Sequence, residues 1–283
     1  MNLSLLMPAA LRQTLIACTL AVAAACAAPA AQAAAAPGNW WVYVHNDNAP
    51  EIRELLAGGA DPNVRYKNGQ PALMRAVVDG AWGVFDVLAA DPRTDLEAVN
   101  PANETALMYL AVAGQTDRAR ALIARGAKVN RLGWTPLHYA ASKGHVDTAK
   151  LLLAHQAMVN APSPDGTTPL MMAGLSGSRD MVQLLLNAGA DPTTRNLKGQ
   201  NAADWAYQGK AGKLGAELTA LIAAAQQRRD AQRQGAAPAP ASSAAQSPSQ
   251  TPAPSQPSPA AQAPAEPESP ALSGVSGVKL NKY

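Results

Sequence analysis

The sequence predicts an all-α solenoid of about five to six stacked helix–turn–helix units. Three observations predict it. The first is a repeat: within residues 133–192, Gly133, Thr135, Pro136 and Leu137 return 33 residues later as Gly166, Thr168, Pro169 and Leu170. Further on, Gly144 returns as Gly177, and Leu151, Leu152 and Leu153 return as Leu184, Leu185 and Leu186. A fixed period of this size marks a stacked-repeat architecture. The second is local helix chemistry within each copy. The third is composition: 48% of residues are hydrophobic but only one is Phe, which suits a stack of small residues better than one bulky core.

Each copy carries its own instructions. Thr135 and Thr168 stand where a first helix begins, and a threonine oxygen can cap free backbone N–H groups. Pro136 and Pro169 occupy the first helical position, where a missing N–H costs nothing. Gly144 and Gly177 end that helix. A second amphipathic helix follows, with Val146, Ala149, Leu152 and Leu153 apolar in one copy and Val182, Leu185 and Leu186 in the next. Gly189 closes the later copy as a left-handed cap, before Asp191 and Pro192 turn the chain into the next unit.

At these residues the chain resembles the ankyrin repeat family. The segments GWTPLHYAASKGHVDTAKLLLAHQAMVN and DGTTPLMMAGLSGSRDMVQLLLNAGADPT hold the TPLH-type start, the central glycine, the leucine triplet and the closing GADP in register. The resemblance covers about two-thirds of the chain, residues 40 to about 230. It implies helix pairs with short loop or β-hairpin fingers, protein–protein recognition through the concave groove and fingers, and no catalysis.

Taken in order, residues 1 to about 33 read as a secretory signal peptide. Arg12 gives a positive start, an apolar run extends over residues 15–28, and Ala31, Gln32 and Ala33 form a small-x-small cleavage site. The apolar run is too short to span a membrane. Met7 is an alternative start. Cys18 and Cys26 both fall in this segment, so the processed chain carries no thiol. Leu15-Ile16-Ala17-Cys18 resembles a lipoprotein box, and Ala23-Ala24-Ala25-Cys26 is better placed but lacks the usual leucine. Only lipidation at Cys18 or Cys26 would tie the chain to a membrane; cleavage near Ala33 into a periplasm is the expectation.

From Trp40 a partial first repeat is expected, with helices over residues 40–46 and 49–57. A second spans residues 65–100, with Gly69, Gln70, Pro71 and Ala72 in place of the Thr-Pro start and one extra residue around Asp91. A third spans residues 101–130. From Leu107 to Leu137 the step is 30 rather than 33 residues, so a truncated finger is expected at residues 128–133. The fourth and fifth repeats are the opening pair. A sixth starts near Thr194 and ends in a long, polar-ended helix from Gly212 to about Arg229 or slightly beyond, a C-terminal cap. Residues 235–283, rich in Ala, Pro, Ser and Gln, cannot bury enough apolar surface to offset ordering and are expected to be disordered. Their last residues, 277–283, read as a frayed end, with a docking peptide as the alternative.

Little in the chain points to chemistry. The net charge of +3 is slight and carries no basic cluster, which argues neither for nucleic acid nor for an acidic substrate. No small-molecule substrate or cofactor is implied. No serine sits in a G-x-S-x-G setting, and no phosphate-cradling glycine loop is present. His138 and His145 stand at motif positions where a histidine bonds neighbouring turns, and no metal set is completed. Met74, Met108 and Met171 stand in the column of His138. Exposed thioethers could bind copper(I), but at repeat spacing they are expected to fill one packing column.

Two columns are expected to form the partner-binding surface. One position beyond His138 stand Arg75, Tyr109, Tyr139, Met172 and Trp205, expected on the concave side of the first helices near the fingers. At the finger-to-helix junction stand Gln70, Glu104, Trp134, Thr167 and Gln200. Aromatic residues and arginine dominate binding hot spots, and Trp134 beside the short finger is the favoured anchor; the competing reading packs these aromatics against adjacent repeats. The expected function is a non-catalytic protein-binding module of the cell envelope. A secreted effector acting on a foreign host protein, or a wall-associated element using the Pro-rich tail, are the alternatives.

Overall fold

The computed structural model describes residues 36–235, and the expected signal peptide and tail lie outside them. Twelve helices follow one another in six pairs: α1 (Trp40–His45) and α2 (Ala49–Ala57), α3 (Ala72–Asp79) and α4 (Trp82–Ala90), α5 (Ala106–Ala113) and α6 (Thr116–Ala124). Then come α7 (Pro136–Lys143) and α8 (Val146–Ala154), α9 (Pro169–Ser176) and α10 (Arg179–Asn187), α11 (Ala202–Gln208) and α12 (Gly212–Gly235). The first helices of successive pairs pack more closely together than the second helices do. The stack therefore bends toward its first helices, which puts them on the concave side.

The caps follow the sequence chemistry. Thr135 and His138 close a capping box at α7, and the Thr168 side chain accepts from the Met171 N–H. Where the sixth repeat departs from the motif, Asn201 takes over: its Oδ1 accepts from the Ala203 and Asp204 N–H groups, while Asp204 accepts from the Asn201 N–H. Gly80, Gly114, Gly144 and Gly177 end four of the first helices in the left-handed conformation.

The methionine column is internal. Met74, Met108 and Met171 are buried, and Met108 Sδ accepts the Thr105 N–H at 3.4 Å. A thioether thus stands in for the imidazole of His138, which accepts the Thr135 N–H in the same way. The first repeat buries Trp40 completely. At the other end α12 runs on to Gly235. Leu214, Leu218 and Ile222 seal the stack, and Arg229 reaches back to Asp191 at 2.9 Å and to Thr193.

Two glycines let α9 and the ends of α11 approach backbone to backbone. A Cβ placed on Gly174 would fall 2.4 Å from the Ala202 carbonyl oxygen, and one on Gly209 would fall 2.1 Å from that of Leu175. Both obstacles are backbone, which cannot rotate aside. Gly174→Ala is therefore expected to cost about 1–3 kcal/mol through overpacking, although alanine favours a helix. Urea unfolding followed by circular dichroism measures it; an unchanged or raised midpoint would contradict the tight contact.

Candidate protein-binding surface

Five connections between pairs form the fingers. The full-length ones close alike. Tyr66, Asn100, Ser163 and Asn196 each donate their N–H to the carbonyl four residues on, while the residue three positions on donates back. That second donor has positive φ in every case: Gly69, Asn103, Gly166 and Gly199. Asn103 is the one non-glycine, and asparagine tolerates the left-handed region better than most side chains.

The third connection differs. It has 11 residues, 125–135, whereas the first has 14, 58–71. With three residues missing, the paired hairpin bonds cannot form. Among the described residues, none of the backbone N–H groups of Arg131, Leu132, Gly133 and Trp134 donates to another group. The truncated finger expected from the residue count is therefore present, and its loss of internal pairing is the consequence.

The structure corrects the expected exposure of the first column. Tyr109, Tyr139, Met172 and Trp205 are all about 95% buried or more, and only Arg75 remains partly open. Arg75 is itself engaged, its Nε donating to Asp79 at 2.8 Å and its guanidinium lying over the Tyr66 ring. In the second column Glu104 and Thr167 are buried, while Gln70, Trp134 and Gln200 are half-exposed.

For Glu104 and the two tyrosines the reason is a polar network beneath the fingers, whereas Met172 and Trp205 join the hydrophobic core between repeats. Tyr139 Oη donates to Glu104 Oε1 at 2.5 Å, and Tyr109 Oη donates to Glu104 Oε2 at 3.0 Å. Asn100 Nδ2 donates to the same Oε2 at 2.7 Å. Glu104 thus draws together two tyrosines from adjacent repeats. Burial pushes the Tyr109 hydroxyl up to about 12, with the Glu104 charge adding to it. Tyr139 moves in the same direction for the same leading cause.

Trp134 lies over this network, its ring 5.2 Å from that of His138 and 6.4 Å from that of Tyr139, edge to face in both cases. Gln70 Nε2 approaches Tyr109 Oη at 3.5 Å. The structure therefore brings Gln70, Trp134 and the Glu104 network into one patch spanning the first three fingers. Arg75, Met172, Trp205, Thr167 and Gln200 lie outside that network.

Arg131 belongs to the patch although its column position did not reveal it. Its Nη2 donates to Asn103 Oδ1 at 2.8 Å. Its Nη1 is buried without a partner among the described residues, and its charge acts on the Tyr139 hydroxyl. The count of 30 residues from Leu107 to Leu137 was the signal pointing to this place. His138 and His145 act structurally, each donating from Nε2 to a backbone carbonyl, of Thr167 at 3.0 Å and of Val112 at 3.1 Å. Among the described residues no group of three or more His, Cys, Asp or Glu is arranged to hold a metal ion.

Comparison with known proteins agrees with this architecture. The family model described as ankyrin repeats (3 copies) matches residues 40–132 and 128–196, more than half of the chain. The chain is also similar to a human mitochondrial disaggregase, 27% identical over 192 residues. That match takes in 66% of this chain but only 27% of the relative, so the chain spans about a quarter of that protein's length. With six helix pairs, the finger geometry and the motif in register, the chain belongs to the ankyrin repeat family.

Proposed function

We propose that this protein is a non-catalytic binding module of the cell envelope, holding a partner protein in its concave groove between the fingers. Ankyrin repeats make a protein–protein interaction module, and the family is generally non-catalytic. The observation that carries the groove reading is the patch at the short finger. Trp134 is a partly buried aromatic packed on a rigid, hydrogen-bonded base, beside backbone N–H groups that pair with nothing in the stack. A pre-formed surface of this kind loses little conformational entropy on docking. The envelope location rests on the leader-like segment ending near Ala33, with Arg12, the apolar run and Ala31-Gln32-Ala33.

The test is cross-linked capture from envelope extract, read by mass spectrometry. Tyr139 is unsuitable for substitution, because its hydroxyl is part of the buried network. Trp134→Ala combined with Gln70→Ala is expected to reduce capture of the dominant partner at least tenfold. Helical circular dichroism and the melting temperature should change little. Equal capture by both proteins would remove the groove assignment.

A further inference from the structure

We infer that the fingers form a cationic rim that takes an extended acidic segment of a partner protein, anchored at Arg131; this rests on the groove-binding reading above and names the chemistry of its partner. The charges are segregated. The five finger tips, residues 65–70, 100–104, 128–133, 162–167 and 195–200, carry Arg65, Lys67, Lys128, Arg131, Arg195 and Lys198, whereas the finger bases carry both signs, Arg93 and Arg125 with Asp61, Asp91, Asp95, Glu97 and Asp191. Among the described residues none of these six forms a salt bridge, and the ion pairs lie elsewhere. The second helices, by contrast, pair many of their cations: Arg118 with Asp86, Arg120 with Asp117, Lys150 with Asp147 and Arg179 with Glu217.

The two acids of the tips are tied up. Glu104 is enclosed by its tyrosines, and Asp165 Oδ1 accepts from Ser163 and Thr167. Arg65 and Arg195 donate to backbone carbonyls, which fixes their side chains without cancelling their charge. The rim is therefore positive and partly pre-ordered.

The shape of the rim selects the partner. At the tips the cations sit on the first, third and fifth fingers, while the second and fourth present Pro101 and Asn103, and Pro162 and Pro164. A phosphate backbone calls for positive charge along its whole track, whereas this rim is interrupted at every second finger. Two of the three cationic tips also have an exposed apolar neighbour: Leu132, 94% exposed, beside Arg131, and Leu197, 82% exposed, beside Lys198. A peptide alternating carboxylates with apolar side chains matches that pattern. At the short finger the Arg131 guanidinium, held by Asn103, sets a positive charge beside the open backbone N–H groups of residues 131–134, which offer donors to an extended main chain.

The experiment is fluorescence anisotropy with a fluorescein-labelled decapeptide of alternating Glu and Leu, on the leader-processed full chain at low salt. Saturable binding is expected. A rim variant, Lys67→Glu, Arg131→Glu and Lys198→Glu, should bind at least tenfold more weakly. A control of equal net charge, Arg53→Glu, Arg120→Glu and Lys150→Glu on the second helices, should stay within twofold of the parent. No saturable binding, or equal loss in both variants, overturns the proposal. So does binding to phosphatidylglycerol vesicles that the rim variant alone abolishes, since the rim would then serve a lipid surface. Circular dichroism and melting of each variant show that it is folded. Envelope capture separates the two readings: a partner lost with the Trp134 and Gln70 changes but kept by the rim variant leaves the groove standing and sinks the rim.

Discussion

Glu104→Ala is expected to lower the stability of the stack by about 3–5 kcal/mol, the cost of leaving three buried donors without their acceptor at about 1–3 kcal/mol each. Glu104 is almost fully buried, and its two oxygens accept from Tyr109, Tyr139 and Asn100. Without it two phenols and an amide lose their acceptor in a place that water does not reach. Tyr139→Phe should cost less, about 1.5–3 kcal/mol, because it removes a single bond to a charged group. Urea unfolding of the parent, both single variants and the double variant reads this directly. The double variant should be nearer to Glu104→Ala than to the sum, since both changes break the same bond. A loss below about 1 kcal/mol for Glu104→Ala would mean that the network is not closed. The tyrosines add a second readout. Their folded values lie above the ordinary 10, with Tyr109 at about 12, so the unfolded chain gives up these protons first. The Tyr109 contribution is whole below pH 10 and is lost as the pH climbs through 12, and Tyr139 acts in the same direction.

This network shows where the sequence stopped being legible. The repeat, its caps and the short finger could all be counted from residues, because each is set by spacing along the chain. Glu104, Tyr109 and Tyr139 were all singled out as well, but in two separate columns and as surface residues. A column treats every repeat alike. Glu104 is the one acid in a column that otherwise holds Gln70, Trp134, Thr167 and Gln200, and an acid beside two phenols pulls them inward. That coupling crosses a repeat boundary, and its distances are set by how closely α5 and α7 pack. Gly174 is a similar case. Its register matches Ala141, and only the 2.4 Å approach of the Ala202 carbonyl shows why a methyl group does not fit. Arg131 was hidden for the opposite reason: it lies in a finger that broke the repeat's length, so no column contained it.

Acid should weaken the stack at one joint, and His138→Met should remove that weakness. His138 is fully buried; its Nε2 donates to the Thr167 carbonyl, so its Nδ1 is the lone-pair side that accepts the Thr135 N–H. A proton on Nδ1 would confront that N–H and place a charge where no water reaches. Burial accordingly lowers the imidazole from the ordinary 6.5 to about 4, although the Thr167 carbonyl favours the charged form. Because the folded value lies below the unfolded one, the unfolded chain takes up the proton first. The stabilisation is complete above pH 6.5 and is lost as the pH falls through 4. A gap of about 2.5 pH units corresponds to roughly 3 kcal/mol. Methionine can occupy the site, since Met108 Sδ already accepts the equivalent N–H of Thr105. At pH 7 the variant should be less stable by about 1 kcal/mol, for the lost bond to Thr167. Near pH 4 it should be the more stable protein, so the two urea midpoints cross. Parallel curves from pH 7 to pH 4 would show that His138 carries no acid sensitivity. The other methionines of the column, Met74 and Met171, take up no proton, which confines the effect to the α7–α9 joint. Hydrogen exchange at acid pH should therefore open first between the fourth and fifth repeats, leaving the Trp134 patch attached to the N-terminal four.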